Sequence, residues 1–391
     1  MSDIPCELFW EILLRSPAEC VFRWRSVCKA WLGMIDDPCF IRAHTNNNNR
    51  IYSHTLLVTN KSNAPLYSFS LDSLNFINGP QTIDGNLIKH SFPLHLLPSP
   101  PHYAFCNGLI LIFYSKICEV CAIWNPLTKE FRKLPRLKSK DRMLRGFGLG
   151  YDHVSDDYKV VGIFAGKYSW TTFIYSLKSD SWRMIEDSPN RLHDNGVFWN
   201  SSLYWLRYNT IIELDLGTES YSTPPLPIEP ALYKMTLVRL ESFDGCLFCS
   251  VDHFRRQVFE GWVMKDNGVE KSWIKLFSLQ HFIYPVPGRL LMTVAYLKSK
   301  HQVVLQHDLG FLWFDIGSNS VKNFSIDDLP DIAFCQSYSG SLVRLKNRDT
   351  TAISVGAIMA ERTRKRKRKI KIIDARLKFC VRDARERCCY I

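Results

Sequence analysis

No apolar run in this 391-residue chain approaches the ~20 residues needed to span a bilayer, so a membrane is not expected as a partner. Asp3 and Glu7 stand where a secretory leader would place basic and then apolar residues, and no leader is expected. The thirteen cysteines are therefore read as free thiols of a reducing compartment. A phosphate loop, a nucleophile elbow and a His-Glu helix motif are all missing, which removes the commonest signatures of nucleotide, ester and metal-dependent peptide hydrolysis. Charge of either sign is also scarce in surplus over most of the chain. The formal net charge is +12, but residues 361–391 hold thirteen Lys and Arg against four Asp and Glu. Only three surplus cations are left for the other 360 residues, so the body lacks the electrostatic basis for binding nucleic acid.

Large apolar groups are concentrated in the first 44 residues. Leu8, Ile12 and Arg15 fall on one helical face, and Val21, Trp24, Val27 (with Cys28) and Trp31 recur at helical steps. Ser16-Pro17 breaks and restarts the helix, and Asp36, Asp37 and Pro38 mark the start of a third. Phe9, Trp10, Leu13, Leu14, Phe22, Trp24 and Trp31 would cover nearly every face of two short helices. Apolar surface of that extent marks a partner site, or a helical pair docked on its own domain.

Thr45 and Asn46–Asn49 form a polar break, read as a linker over 45–50. Beyond Ile51 the texture changes to short apolar runs punctuated by turn residues. In five places an apolar pair precedes a polar turn residue, and an aromatic or apolar residue follows six positions later. These pairs are Ser70/Phe76, Asn125/Phe131, Ser176/Trp182, Asp215/Tyr221 and Asp315/Val321. A sixth instance runs from Lys265 to Trp273 with a longer turn. The turn residues are spaced 55, 51, 39, 50 and 50 apart, the period of propeller blades, and six units predict a six-bladed β-propeller. In this reading Phe131, Trp182 and Tyr221 pack inward, and residues 1–44 are separable from the β domain.

Three constellations invite a chemical reading. Cys118/Cys121 and Cys246/Cys249 have metal-site spacing, but in strands residues three apart face opposite sides, so buried thiols are expected. Asp152, His153, Asp156 and Asp157 sit in a turn sequence where such side chains bond the local backbone. The run Arg364, Lys365, Arg366, Lys367, Arg368 and Lys369 has the density of a nuclear-import address. Neither a metal nor a cofactor is expected.

Two stretches resemble a known family. Ile4-Pro5, Glu7-Leu8, Glu11-Ile12-Leu13, Arg15 and Pro17 resemble the opening of an F-box. Arg23-Trp24-Arg25, Val27-Cys28-Lys29 and Trp31 are similar to its second helix, and Ile35, Pro38, Phe40 and His44 to its close. Ile4, Ser16 and Trp24 depart from the pattern, where Leu, Leu and Phe are usual. Residues 122–135, 146–163, 175–185 and 337–345, with the run from Cys106, resemble the F-box-associated interaction domain of plant F-box proteins, which is kelch-like or propeller-like.

The resemblance implies an all-α F-box of three helices (1–44) and a large all-β domain (51–349); the linker (45–50) and a basic tail (350–391), which departs from the family pattern, are read from the residues. It implies a non-catalytic substrate receptor of a Skp–cullin–F-box ubiquitin ligase, in the nucleus or cytoplasm. Its partners would be a Skp-type adaptor, through it cullin and RING subunits, and a protein target. Pro5, Leu8, Ile12, Leu13, Pro17, Val27, Cys28 and Trp31 would meet the adaptor. The alternatives are a propeller-fold enzyme and a nucleic-acid binder acting through the tail. Polar inter-hairpin loops, Arg136–Arg145, Asp187–Asn195 and Arg255–Gln257, are the expected seats of target specificity.

Overall fold

The computed structural model describes residues 6–48 and 55–345, apart from 61–65, 72–80, 84–86, 91–101, 114–120, 138–142, 228–235, 267–270, 281–290, 327–331 and loop gaps of one or two residues. Pro5 and the basic run Arg364–Lys369 lie outside the described residues.

Four helices open the chain, not three: α1 (Cys6–Leu14), α2 (Ala18–Trp24), α3 (Lys29–Ile35) and α4 (Pro38–Asn48). The apolar steps from Val21 to Trp31 read as one helix, but Cys28 is extended (φ −160°, ψ 168°) and divides it. Asp37 caps α4, its Oδ1 accepting the N–H groups of Cys39 (2.7 Å) and Phe40 (3.3 Å). That helix runs through Asn48, so Thr45–Asn48, expected as linker, form its last turn. Thr45 is buried there and donates its hydroxyl to the Ile41 carbonyl at 2.8 Å. No helix among the described residues is long and apolar enough to cross a membrane.

The rest is a ring of six sheets. Blades 2 to 6 each run as an antiparallel meander from an inner strand outward, the inner strands being His102–Cys106, Met143–Asp152, Val197–Trp199, Thr236–Phe243 and Met292–Leu297. Blade 1 is composite. Its inner strand, Ile332–Tyr338, comes from the far end of the chain and pairs with Thr55–Asn60, Leu56 standing opposite Ser337. The second strands, such as Leu109–Phe113 and Asp157–Ala165, are buried on both faces because each blade is sandwiched between neighbours. Leu111, Ile123, Phe147, Leu149, Val160 and Tyr175 fill the seam between blades 2 and 3, and comparable clusters fill the others.

The six-residue offset has a local cause. Asn125, Asp215 and Asp315 accept backbone N–H groups two or three residues on, and Ser176 does the same from Ser179. Four residues after each, the chain turns through the left-handed region at Lys129, Asp180, Glu219 and Asn319, with φ of 53–60°. The strand resumes so that Trp124 faces Phe131, Tyr175 faces Trp182, Leu214 faces Tyr221 and Phe314 faces Val321.

Two expectations change. Phe131, Trp182 and Tyr221 are half-buried on the outermost strands, not inward, because the hairpin they mark joins the third and fourth strands. The deep aromatics are their partners and neighbours, Tyr175, Tyr204 and Trp205. The Ser70 unit is not a tight hairpin either. Leu66–Ser70 pairs with Ile88–His90, and the strand between them, Gln81–Ile83, crosses to the edge of blade 6. Phe76 lies outside the described residues.

Candidate functional site

Each meander alternates direction, so turns between first and second strands and between third and fourth strands share one face. Turns between second and third strands, and blade-to-blade connections, fall on the other. The helices sit on the first of these faces. Arg42 on α4 bonds Asp156, in the first turn of blade 3, at 2.7 Å. Leu127, in the last turn of blade 2, packs against the helices, as does Leu342 in the segment after the inner strand of blade 1.

That segment, Ser339–Leu345, is a strap between the two parts. Leu342 is 3% exposed and completes one core with Leu13, Ala18, Val21, Ile35 and Phe40. Gly340 runs so close to the Glu19 carboxylate that a Cβ there would require the Glu19 side chain to shift. Blade 2 holds the strap from below. The Asn125 amide, 0% exposed, donates to the carbonyls of Ser341 (2.9 Å) and Val343 (2.8 Å). Glu130 accepts from the Arg344 side chain and the Leu345 N–H, both at 2.7 Å. The expectation that residues 1–44 are separable is thus overturned: the helical core is finished by a leucine of the β domain.

Leu8 and Ile12, one turn apart on α1, are 55% and 50% exposed, and Val27 in the α2–α3 turn is 60% exposed. Cys28 is exposed as well. Trp31 is half-buried, edge-on to Phe9 (5.3 Å between ring centroids) and Trp24 (6.1 Å). Pro17 is half-buried and opens α2. Leu13 is the exception. It is 1% exposed, so it serves the helical core and offers no surface to a partner. Leu32, which the sequence reading did not single out, is also exposed, at 39%. Its signal in the sequence is that Trp31 and Ile35, one turn apart and turned inward, rotate Leu32 out.

The acidic turn of blade 3 is committed to structure. Asp152 accepts from the Val154 N–H, the Ser155 hydroxyl (2.6 Å) and the buried Lys159 ammonium (2.9 Å). Burial opposes its charge, but these bonds hold its carboxyl below the usual range. Lys159 also reaches Glu219 (3.0 Å) and the Leu216 carbonyl (2.6 Å), tying blade 3 to blade 4. Asp156 takes the Tyr151 hydroxyl besides Arg42, and Asp157 takes the Ser176 hydroxyl. Cys246 and Cys249 stand three apart on Cys246–His253, and burial pushes the Cys249 thiol well up. Between blades 5 and 6, Ser250 bridges Glu241 (3.1 Å) and Thr293 (2.9 Å), and burial pushes the Glu241 carboxyl up to about 8.

His44 makes the helical core sensitive to acid. Its Nε2 lies 2.9 Å from the Ser16 carbonyl and must carry the hydrogen, while the buried Nδ1 has no partner among the described residues. Burial lowers its pKa, against the pull of Ser16. The unfolded chain therefore takes up a proton below about pH 6.5 that the folded core resists, and stability falls as pH drops through that value. A melt monitored on the helices is expected to lose temperature between pH 7.5 and 5.5, and His44→Gln to flatten the loss; a slope unchanged by His44→Gln would refute it.

The family model described as F-box associated beta propeller domain matches residues 56–345. The chain belongs to that family. The F-box protein CPR1 of Arabidopsis thaliana is 28% identical over 382 residues, 88% of each chain. F-box/WD-40 repeat-containing protein 1, also of Arabidopsis thaliana, is 28% identical over 311 residues, 73% of this chain and 71% of the relative. A solved structure of oligogalacturonate lyase with manganese aligns with a TM-score of 0.42 at 10% identity, over 68% and 71% of the two chains, and has no bearing on the chemistry here. The F-box associated propeller ends, by its match, at Leu345, the last residue of the strap.

Proposed function

We propose that this protein is a non-catalytic receptor of a Skp–cullin–F-box ubiquitin ligase, its helices docking on a Skp-type adaptor and its propeller holding a protein target. The observation that carries this reading is the division of the helical module. Its core is closed by Leu342 of the strap, while Leu8, Ile12 and Val27 remain bare. Bare aliphatic residues on a short, otherwise well-packed module are what a protein partner covers. Catalysis would then be proximity, the receptor raising the local concentration of target lysines near a ubiquitin-loaded enzyme. A module locked to the propeller suits that task, since a floating one would dilute the gain.

The full chain, co-expressed with a Skp-type adaptor, tests the reading. Leu8→Ala/Ile12→Ala is expected to weaken adaptor binding about 30-fold, near 2 kcal/mol on the hot-spot scale, without lowering the melting temperature of the propeller. Retention of the adaptor at wild-type levels would refute the docking surface.

A further inference from the structure

The outer edges of the blades are unequal. Blades 1 to 4 end on strands of two to five residues, Ile88–His90, Phe131–Lys133, Ser181–Ile185 and Tyr221–Ser222. Blade 6 ends on Ser320–Ile326, and Gln81–Ile83 covers part of it, pairing in parallel with Phe324–Ile326. Blade 5 ends on Lys271–Gln280, ten residues long, and no described strand lies outside it. Its inner side pairs with Val258–Asp266. Among the described residues, none makes a backbone hydrogen bond to its outer side.

Short or covered edges are how sheet proteins avoid stray pairing, and a long open edge presents a row of backbone donors and acceptors. The usual guard, an outward lysine, is present but turned back. The Lys275 ammonium lies 2.6 Å from Glu260 on the neighbouring strand and 4.7 Å from the Trp262 ring centroid. The edge is also anchored. The Trp273 indole N–H donates to the Pro225 carbonyl at 2.7 Å, and Phe277 and Leu279 are buried. Leu276 is the extra residue of a bulge, so the regular stretch is Lys271–Lys275, in unbroken register with Trp262–Asp266. Ile274 stands on that stretch 45% exposed.

An extended polypeptide is what matches a row of backbone groups at strand spacing. We propose that blade 5 binds an extended segment of the target protein, adding it as a fifth strand along Ser272–Lys275 with a β-branched or aromatic residue set against Ile274. Gln81–Ile83 makes the same kind of addition on blade 6, from within the chain. The inference rests on the receptor reading and adds the form of the target, a strand rather than a folded surface. Blade 5 stands across the ring from blade 2, whose last turn carries Leu127 against the helices, so a strand here leaves the helices clear. A second copy of the chain fits less well, since edges paired antiparallel about Trp273 would set Lys271 opposite Lys275.

The probe is a fluorescein-labelled peptide of about nine residues alternating Val and Thr, titrated against the full chain with its adaptor. Two analogues carry N-methyl groups on two alternate amides, one analogue for each edge of the peptide. One analogue is expected to lose about tenfold in affinity, for two lost hydrogen bonds, and the other to match the parent. The amides of Ser272–Lys275 are expected to gain protection from exchange on binding. Ile274→Lys, which puts an unpinned lysine on the edge, is expected to weaken binding about tenfold at an unchanged melting temperature, and Ile274→Val to retain it. Equal affinities for the two analogues, whether kept or lost, would overturn the proposal, as would undiminished binding to Ile274→Lys. A dimer of the free chain that Ile274→Lys dissociates would assign the edge to a second copy and overturn it too. Adaptor co-purification separates the two readings: adaptor held with no strand pairing removes this site alone, and pairing intact with no adaptor held removes the receptor assignment.

Discussion

Leu342→Asp is expected to release the four helices from the propeller while the six blades stay folded. Removing a buried leucine side chain costs about 2–5 kcal/mol, and the new carboxylate would sit in an apolar core with no partner. The loss falls on the helices, because the buried residues clustered with Leu342 are Leu13, Ala18, Val21, Ile35 and Phe40, all helical, with Leu127 of blade 2 at the edge. Amide exchange is the measurement. Protection of α2 and α3 should drop by about 30-fold or more, while the second strands of the blades keep theirs. Arg42→Ala is the comparison: its pair with Asp156 is about half exposed and worth about 0–1 kcal/mol, so helix protection should hardly move. Equal losses in both variants would show that charge, not the shared core, joins the two parts.

Asn125→Asp tests the strap itself and is nearly isosteric. The side-chain oxygen that accepts from Leu127 and Thr128 would survive. The amide that donates to Ser341 and Val343 would become an oxygen facing two carbonyls, one buried and one part-buried. Stranding buried acceptors costs about 1–3 kcal/mol each, and like-signed dipoles add to it. A stability loss of about 3 kcal/mol or more is expected in denaturant melts, partly restored toward acid pH as the carboxyl takes a proton and donates. Asn125→Asp at wild-type stability would show that Glu130 and Leu342 hold the strap alone.

Much of this architecture was legible in the residues. The turn at Asn125, Asp215 and Asp315 needs a side-chain acceptor at its head and a left-handed residue four later, so its chemistry repeats at blade spacing. Which strand a hairpin belongs to leaves no such mark, and Trp182 was therefore placed too deep. The division of α2 from α3 was hidden because Val21, Trp24 and Trp31 keep helical spacing through a break in the backbone. That Leu8 and Ile12 share a face of α1 is legible from spacing alone. Leu13 was misjudged because its buried neighbours include a residue more than 300 positions away, which no local period announces. For the same reason the strap had no signal beyond its family resemblance.

The closure of blade 1 has a consequence for biosynthesis. Thr55–Asn60 leaves the ribosome early, yet its partner Ile332–Tyr338 emerges about 280 residues later. Throughout that interval the first blade presents an unpaired edge, and the helices lack the leucine that finishes their core. Ring and helices are completed by the same dozen or so residues, so nascent or prematurely terminated chains lack a finished helical module as well as a finished ring. Completion of the helical core is in this way tied to the arrival of residues 332–345.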